Sequence, residues 1–447
     1  ALQMVDYKYN IRGWLTDINN VNNLNQPGGG PIDLFAYKIN YNTVGDDING
    51  QVKPQFNGNI SETLWRTAVD NVKRKYGYSY DGIHRLTAAH YQLPDAVVPR
   101  TDRYSTKYSY DENGNIHTLE RKGRPEGLLQ TTTIDDLRYS YDQGNRLLKV
   151  KDLTNNVAGF NPGTAGPNEE YDYDDFGNLK FDPYKNITNI TYNHLNLPVK
   201  IQFQGGANIE YTYAADGTKL EKTATDNNTV TTAYREGFQY TDGNLEFFPH
   251  QEGYVKVNAS SIASFYTYVF NYTDHLGNIR LRYTQHPQTG ETQILEEDHY
   301  YPFGLKHHGY NQERFTIGFD QHGTDIDLIA ITRDAEDTYR YKFGGKEYQN
   351  EFDVNVYDFG ARNYDPALGR WMNIDPLAEI MRRHSPYNYA FNNPVFFMDP
   401  DGMSPLVSMA AMQTGAYEFY DFSDNGGGKS GGEEPKKPQH QVTNSFQ

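Results

Sequence analysis

Carboxylates are among the side chains with chemistry to offer, and some stand before proline, as in Asp375-Pro376 and Asp399-Pro400, with Arg370 close ahead of the first. Asp-Pro is good turn chemistry, because the carboxylate accepts backbone hydrogen bonds and proline fixes φ. Two carboxylates held together in a desolvated site can do more. Repulsion lets one ionise while the other keeps its proton, so one acts as base towards water and the other polarises a carbonyl. Arg370 could hold one such carboxylate ionised or sit in a plain structural ion pair. Elsewhere the chemistry is thin. His307-His308 follow Tyr300-Tyr301-Pro302-Phe303-Gly304, but adjacent histidines on a strand point to opposite faces and no carboxylate spacing accompanies them, so no metal is expected. With no cysteine in the chain, disulfides and thiolate zinc sites are excluded, and nothing calls for a cofactor.

Many short strands must position these residues. The 447 residues include 38 Tyr and 23 Phe, while only 37% are hydrophobic, and mean hydropathy is −0.81. Tyrosine and phenylalanine favour pleated, half-buried surfaces, and 40 Gly with 21 Pro supply turns. Disordered segments are poor in aromatics, so the polarity does not mean disorder. A net charge of −17 disfavours nucleic acid or an anionic membrane as main partner. There is no apolar run long enough for a membrane-spanning helix, and the start lacks the charged-then-apolar pattern of a signal peptide. Tyr7-Lys8-Tyr9-Asn10 already reads as part of a repeat, which suggests the C-terminal part of something longer.

One phrase recurs, roughly Tyr-x-Tyr-Asp, a few residues, Gly-Asn, then Leu or Ile. It appears at Tyr78-Ser79-Tyr80-Asp81, at Tyr108-Ser109-Tyr110-Asp111 with Gly114-Asn115-Ile116, at Tyr139-Ser140-Tyr141-Asp142 with Gly144-Asn145, and at Tyr171-Asp172-Tyr173-Asp174 with Gly177-Asn178-Leu179. Looser copies lie at Tyr192-Asn193, Tyr211-Thr212-Tyr213 and Tyr272 with Asp274 and Gly277-Asn278-Ile279. Tyr-x-Tyr puts two rings on one face of a strand, Asp-x-x-Gly-Asn makes a tight turn, and the return strand begins at Leu or Ile. Each unit is therefore a hairpin. A hairpin cannot bury its aromatic face alone, so neighbours should stack edge to edge into a long curling sheet. A propeller would need a steadier period near about 40 residues.

These phrases resemble those of the RHS/YD-repeat family, which includes bacterial Rhs proteins, the C subunits of Tc toxins and the teneurins. The resemblance runs from about Tyr7 to Gly402. It is most specific from Tyr341-Lys342-Phe343-Gly344-Gly345-Lys346-Glu347 through Arg362-Asn363-Tyr364-Asp365-Pro366, Gly369-Arg370-Trp371 and Asp375-Pro376 to Asn392-Asn393-Pro394 and Asp399-Pro400-Asp401-Gly402. That stretch is similar to the RHS-repeat-associated core. The resemblance implies an all-β shell, hollow or part of a hollow shell, over 1–340, closed by a core over 341–403 that plugs or caps one end. In many such proteins the core is an autoprotease with paired Asp-Pro-x-Gly motifs. The resemblance implies Asp375 and Asp399 as the catalytic pair, Arg370 as possible support, and the Met403–Ser404 bond as the cut. Ala378 stands where the motif has glycine, and Met403 where it has leucine.

Residues 404–447 form a variable tail. Gly426 to Pro438 has flexible-linker composition, and so short a segment cannot bury a catalytic core. Two functions follow. The first is a secreted or cell-surface scaffold whose partners are proteins, such as a secretion or cell-surface complex. The second is the encapsulating part of a bacterial polymorphic toxin, whose core self-cleaves to release an enclosed C-terminal polypeptide.

Overall fold

The computed structural model describes residues 2–407 except 46–49, 100, 124–129, 155, 167–168, 260–263, 311–313, 320–324 and 333–338. The tail beyond 407, with its linker-like stretch, lies outside the described residues. Among the described residues regular structure is strand, with a few single-turn 3-10 segments and no α-helix. Ten strands, from Tyr7–Tyr9 to Leu147–Asp152, form one antiparallel sheet in chain order, and eleven, from Ile187–Tyr192 to Thr292–Glu297, form a second. Each strand pairs with its neighbours in sequence, as stacked hairpins require.

The ladder is interrupted once between these sheets. Asp172–Tyr173 and Leu179–Phe181 pair only with each other. The single 3-10 turn Pro183–Lys185 follows, capped by Asp182, whose carboxylate accepts from Tyr184 N and Lys185 N. Proline at the turn's start cannot donate to a ladder, so the sheet restarts at Ile187.

The turn hydrogen bonds recur, while the positive-φ position three residues on is glycine in some turns and His84, Asn145 or Asn196 in others. Asp111 Oδ1 accepts from Asn113 N at 2.9 Å and Asn115 N at 2.8 Å, and Asp174 Oδ1 accepts from Phe176 N and Asn178 N, both at 2.9 Å. Gly114 and Gly177 take φ of +84° and +85°, which a side chain would resist. The first tyrosine of each phrase is buried, as Tyr78, Tyr108, Tyr139 and Tyr171 are. The second reaches back to the preceding hairpin. Tyr80 donates to Ile60 O at 2.7 Å, Tyr110 to Leu86 O at 2.6 Å, and Tyr141 to Ile116 O at 2.7 Å. Most of these acceptors open the previous return strand, so the second hydroxyl stitches hairpins together.

The chain after the second sheet lies against the first. Trp65 Nε1 donates to His299 Nδ1 at 2.8 Å, Tyr301 OH to Lys122 O at 2.7 Å, and Tyr104 OH to His308 O at 2.6 Å. His307 is buried, stacked on Tyr104 at 4.0 Å, with Nε2 at 2.9 Å from Tyr76 OH. Glu347–Gln349, Val356–Asp358, Asn363–Asp365 and Arg370–Trp371 form a small four-stranded sheet. Its Tyr364 and Trp371 share one core with Phe35, Trp65, Leu119, Ile201 and Leu281 of the two large sheets. Phe397–Met398 and Leu406–Val407 then make a last short hairpin.

Candidate functional site

The row of repeat turns is where the later chain docks. Asn392 Nδ2 donates to Gly114 O at 2.7 Å, Tyr387 OH to Gly177 O at 2.8 Å, and Asn393 Nδ2 to Asn59 Oδ1 at 3.0 Å. Asn373 Nδ2 reaches Asn178 Oδ1 at 3.3 Å and Asn196 O at 3.1 Å, while Asn278 Oδ1 accepts Gly344 N at 2.7 Å. Turn asparagines also join each other, Asn115 to Asn145 and Asn178 to Asn196, each at 2.9 Å. The Gly-Asn of the repeat is therefore both a turn and a docking point.

Held against this row, two bends bring Asp375 and Asp399 to one guanidinium. Arg362 Nη2 lies 2.8 Å from Asp375 Oδ2 and 3.1 Å from Asp399 Oδ2. All three are buried, at 7%, 1% and 2% exposure for Asp375, Asp399 and Arg362. Arg362 Nε donates to Gly402 O, and its guanidinium lies 4.1 Å from the Trp371 ring centre. Its Nη1 is buried without an acceptor among the described residues.

Burial sets the electrostatics. It pushes the Asp399 carboxyl up to about 6, against the pull of Arg362 and the hydrogen bond from Gly402, with Asp401 and Asp375 adding repulsion. Burial likewise raises Asp375 and lowers Arg362, the ion pairs opposing it in each case.

Each bend has its own local logic. Asp375 Oδ1 accepts Leu377 N at 2.7 Å, and Asp375 N donates to Pro386 O at 2.9 Å. Asp399 Oδ1 accepts Gly402 N at 2.8 Å and Met403 N at 3.1 Å. Gly402 has φ +80°, and a Cβ there would come within 3.0 Å of Arg362 N and 3.2 Å of Phe359 Cβ. Glycine is thus required at 402, where the second bend presses on the arginine. Ala378 keeps a negative φ, so glycine is not required in the first bend. Met403 and Ser404 lie in the loop between Phe397–Met398 and Leu406–Val407, both half-buried.

Arg370, expected as possible support, pairs with neither aspartate among the described residues. It lies between Tyr141 and Tyr387, 5.2 and 4.9 Å from their ring centres, and donates to Asn145 O at 3.2 Å, one more contact with a repeat turn. Arg370 and Trp371 are adjacent on a strand and face opposite ways. The Trp371 face meets Arg362 and the Arg370 face meets the turns. Arg362 stands inside the 341–403 stretch that resembles the RHS-repeat-associated core, yet no spacing rule singles it out.

Toxin subunit YenC1 of Yersinia entomophaga is 24% identical over 376 residues, covering 76% of this chain and 34% of its own length. Toxin subunit YenC2 of the same organism is 29% identical over 118 residues, covering 26% of this chain and 10% of its own. Salivary gland surface protein 1 of Aedes aegypti is 26% identical over 283 residues, covering 60% of this chain and 8% of its own. The chain spans about a third or less of these relatives. No family model matches it. Among solved structures, the TcdB2–TccC3 complex without its hypervariable C-terminal region aligns with TM-score 0.51 and 16% identity, over 90% of this chain and 19% of that one. The Photorhabdus luminescens Tc holotoxin pore with a mutated TccC3 aligns with TM-score 0.50 and 16% identity, over 91% of this chain and 19% of that one. The fold is the β-shell fold of these Tc toxin assemblies, and in sequence the chain is similar to the toxin subunits YenC1 and YenC2. Among the described residues no helix is long and apolar enough to cross a membrane.

Proposed function

We propose that this chain is the closing part of a toxin-complex-type β-shell, and that its core cuts the chain once, between Met403 and Ser404, freeing the polypeptide that follows. One observation carries the reading: the guanidinium of Arg362 between two buried carboxylates, one of which, Asp399, also holds the N–H of Met403. In the step proposed, Asp375 takes a proton from water as the water oxygen adds to the Met403 carbonyl carbon. The bond to Ser404 N then breaks, and that nitrogen takes the proton kept by Asp399, whose carboxyl burial raises to about 6. The products are a carboxyl at Met403 and an amine at Ser404. Arg362 Nη1, a buried donor with no acceptor among the described residues, is available to the oxygen that gains charge.

The likeness to toxin subunits favours encapsulation over the surface-scaffold alternative, with proteins as partners and a secreted or bacterial cell-surface location. The scaffold reading draws on a different observation: each aspartate also caps its own bend, through Leu377 N and Gly402 N. Intact mass of refolded full-length chain separates the two. Cleavage at Met403 that Asp399→Asn abolishes supports the protease. A wild-type chain that stays whole, or an Asp399→Asn chain that is still cut, rejects it.

A further inference from the structure

A third carboxylate in the second bend has no part in the step above. Met403 N–H is shared, at 3.1 Å from Asp399 Oδ1 and 3.0 Å from Asp401 Oδ1. Asp399 and Asp375 are buried, whereas Asp401 is exposed. Its main chain is nevertheless anchored: Ala361 N donates to Asp401 O at 3.0 Å, in the bend that leads into Arg362. The adjoining Gly402 is pressed against the backbone of Arg362, with no room for a side chain. Asp401 is therefore tied to the arginine's bend on one side and to the Met403 N–H on the other.

We infer that Asp401 is a positioning residue for the cut, holding the residue that carries the scissile carbonyl by sharing its N–H with Asp399. The inference rests on the cleavage reading proposed above. Two carboxylate oxygens on one N–H fix Met403 against rotation, and each relieves the other of full charge compensation. Asp399 Oδ1, which also accepts Gly402 N, is left less completely satisfied than if it held Met403 alone. The charge of Asp401 acts as well, since it is among the groups that raise both Asp399 and Asp375.

Two substitutions in the full-length chain separate these effects. Asp401→Asn keeps an oxygen acceptor for Met403 N–H and removes the charge. Its self-cleavage after refolding, followed by intact mass over a pH series, is expected to reach a wild-type maximum with the whole profile displaced to lower pH. Asp401→Ala removes both, and losing one hydrogen bond to a charged acceptor is expected to slow cleavage roughly 10- to 100-fold at every pH. A merely structural turn residue would change thermal stability and leave the pH profile where it was. If the wild type is cut and both variants match its rate and profile, the role of Asp401 is rejected while the carboxylate pair stands. If the wild type remains whole, the cleavage reading fails and the role of Asp401 with it.

Discussion

The repeat turns and the core bend use the same aspartate chemistry to different ends. In the turn at Asp111, Oδ1 caps Asn113 N and Asn115 N while Oδ2 accepts Asn115 Nδ2 at 2.9 Å. In the bend at Asp399, Oδ1 again caps backbone N–H groups, of Gly402 and Met403, but Oδ2 faces Arg362. Asp111 is half-buried and Asp399 is buried at 1% exposure. What separates a structural turn from a candidate catalytic one is thus the second oxygen's partner and the loss of water. Both place a glycine of positive φ three residues on, Gly114 and Gly402.

That comparison breaks first at cleavage. Asp399→Asn is expected to abolish cutting at Met403, whereas Asp111→Asn, which keeps an oxygen acceptor for the same N–H groups, should leave it intact. Intact mass of both refolded chains decides the matter, and equal cutting would erase the distinction.

Arg362→Ala should have the next largest effect, because it strands two buried carboxylates. A loss of about 3–5 kcal/mol in unfolding free energy is expected from denaturant titration, against about 1–2 kcal/mol for Arg370→Ala, which loses its ring contacts and one hydrogen bond but strands no carboxylate. Comparable losses would mean that the two arginines are equally structural.

The pH dependence sharpens the contrast further. The folded Asp399 carboxyl is raised to about 6, above its unfolded range. Its contribution to stability is therefore fully present below about pH 4 and lost as pH rises through about 6. Relative to wild type, Asp399→Asn should gain on the order of 2 kcal/mol between pH 4 and pH 7. A flat difference across that range in urea unfolding contradicts the burial argument.

The smallest effect belongs to the stitching hydroxyls. Tyr141→Phe removes the donor to Ile116 O and should cost about 1 kcal/mol without altering cleavage. A fall in cleavage alongside it would mean that the hairpin stack and the core bend are coupled more tightly than their separate hydrogen bonds imply.

Much of the shell was legible in the sequence because its interactions are local. Asp-x-x-Gly-Asn specifies a turn through hydrogen bonds two and four residues on, Tyr-x-Tyr specifies a strand face by alternation, and consecutive hairpins pair with their chain neighbours. The second use of these residues was hidden. Nothing in the phrase indicates that Tyr110 reaches Leu86 or that Gly114 receives Asn392, since both partners lie in other units.

The sequence by itself determined the antiparallel hairpins, their turns and the two Asp-Pro bends, since each is a short-range bargain between side chain and backbone. Only the tertiary structure decided which arginine joins the aspartates. Arg370, near Asp375 in sequence, is turned by strand alternation towards Tyr141 and Tyr387, while Arg362 arrives from a separate bend and meets both carboxylates. A buried charge takes whichever partner packing brings within reach, because desolvation makes an unpaired one too costly to keep.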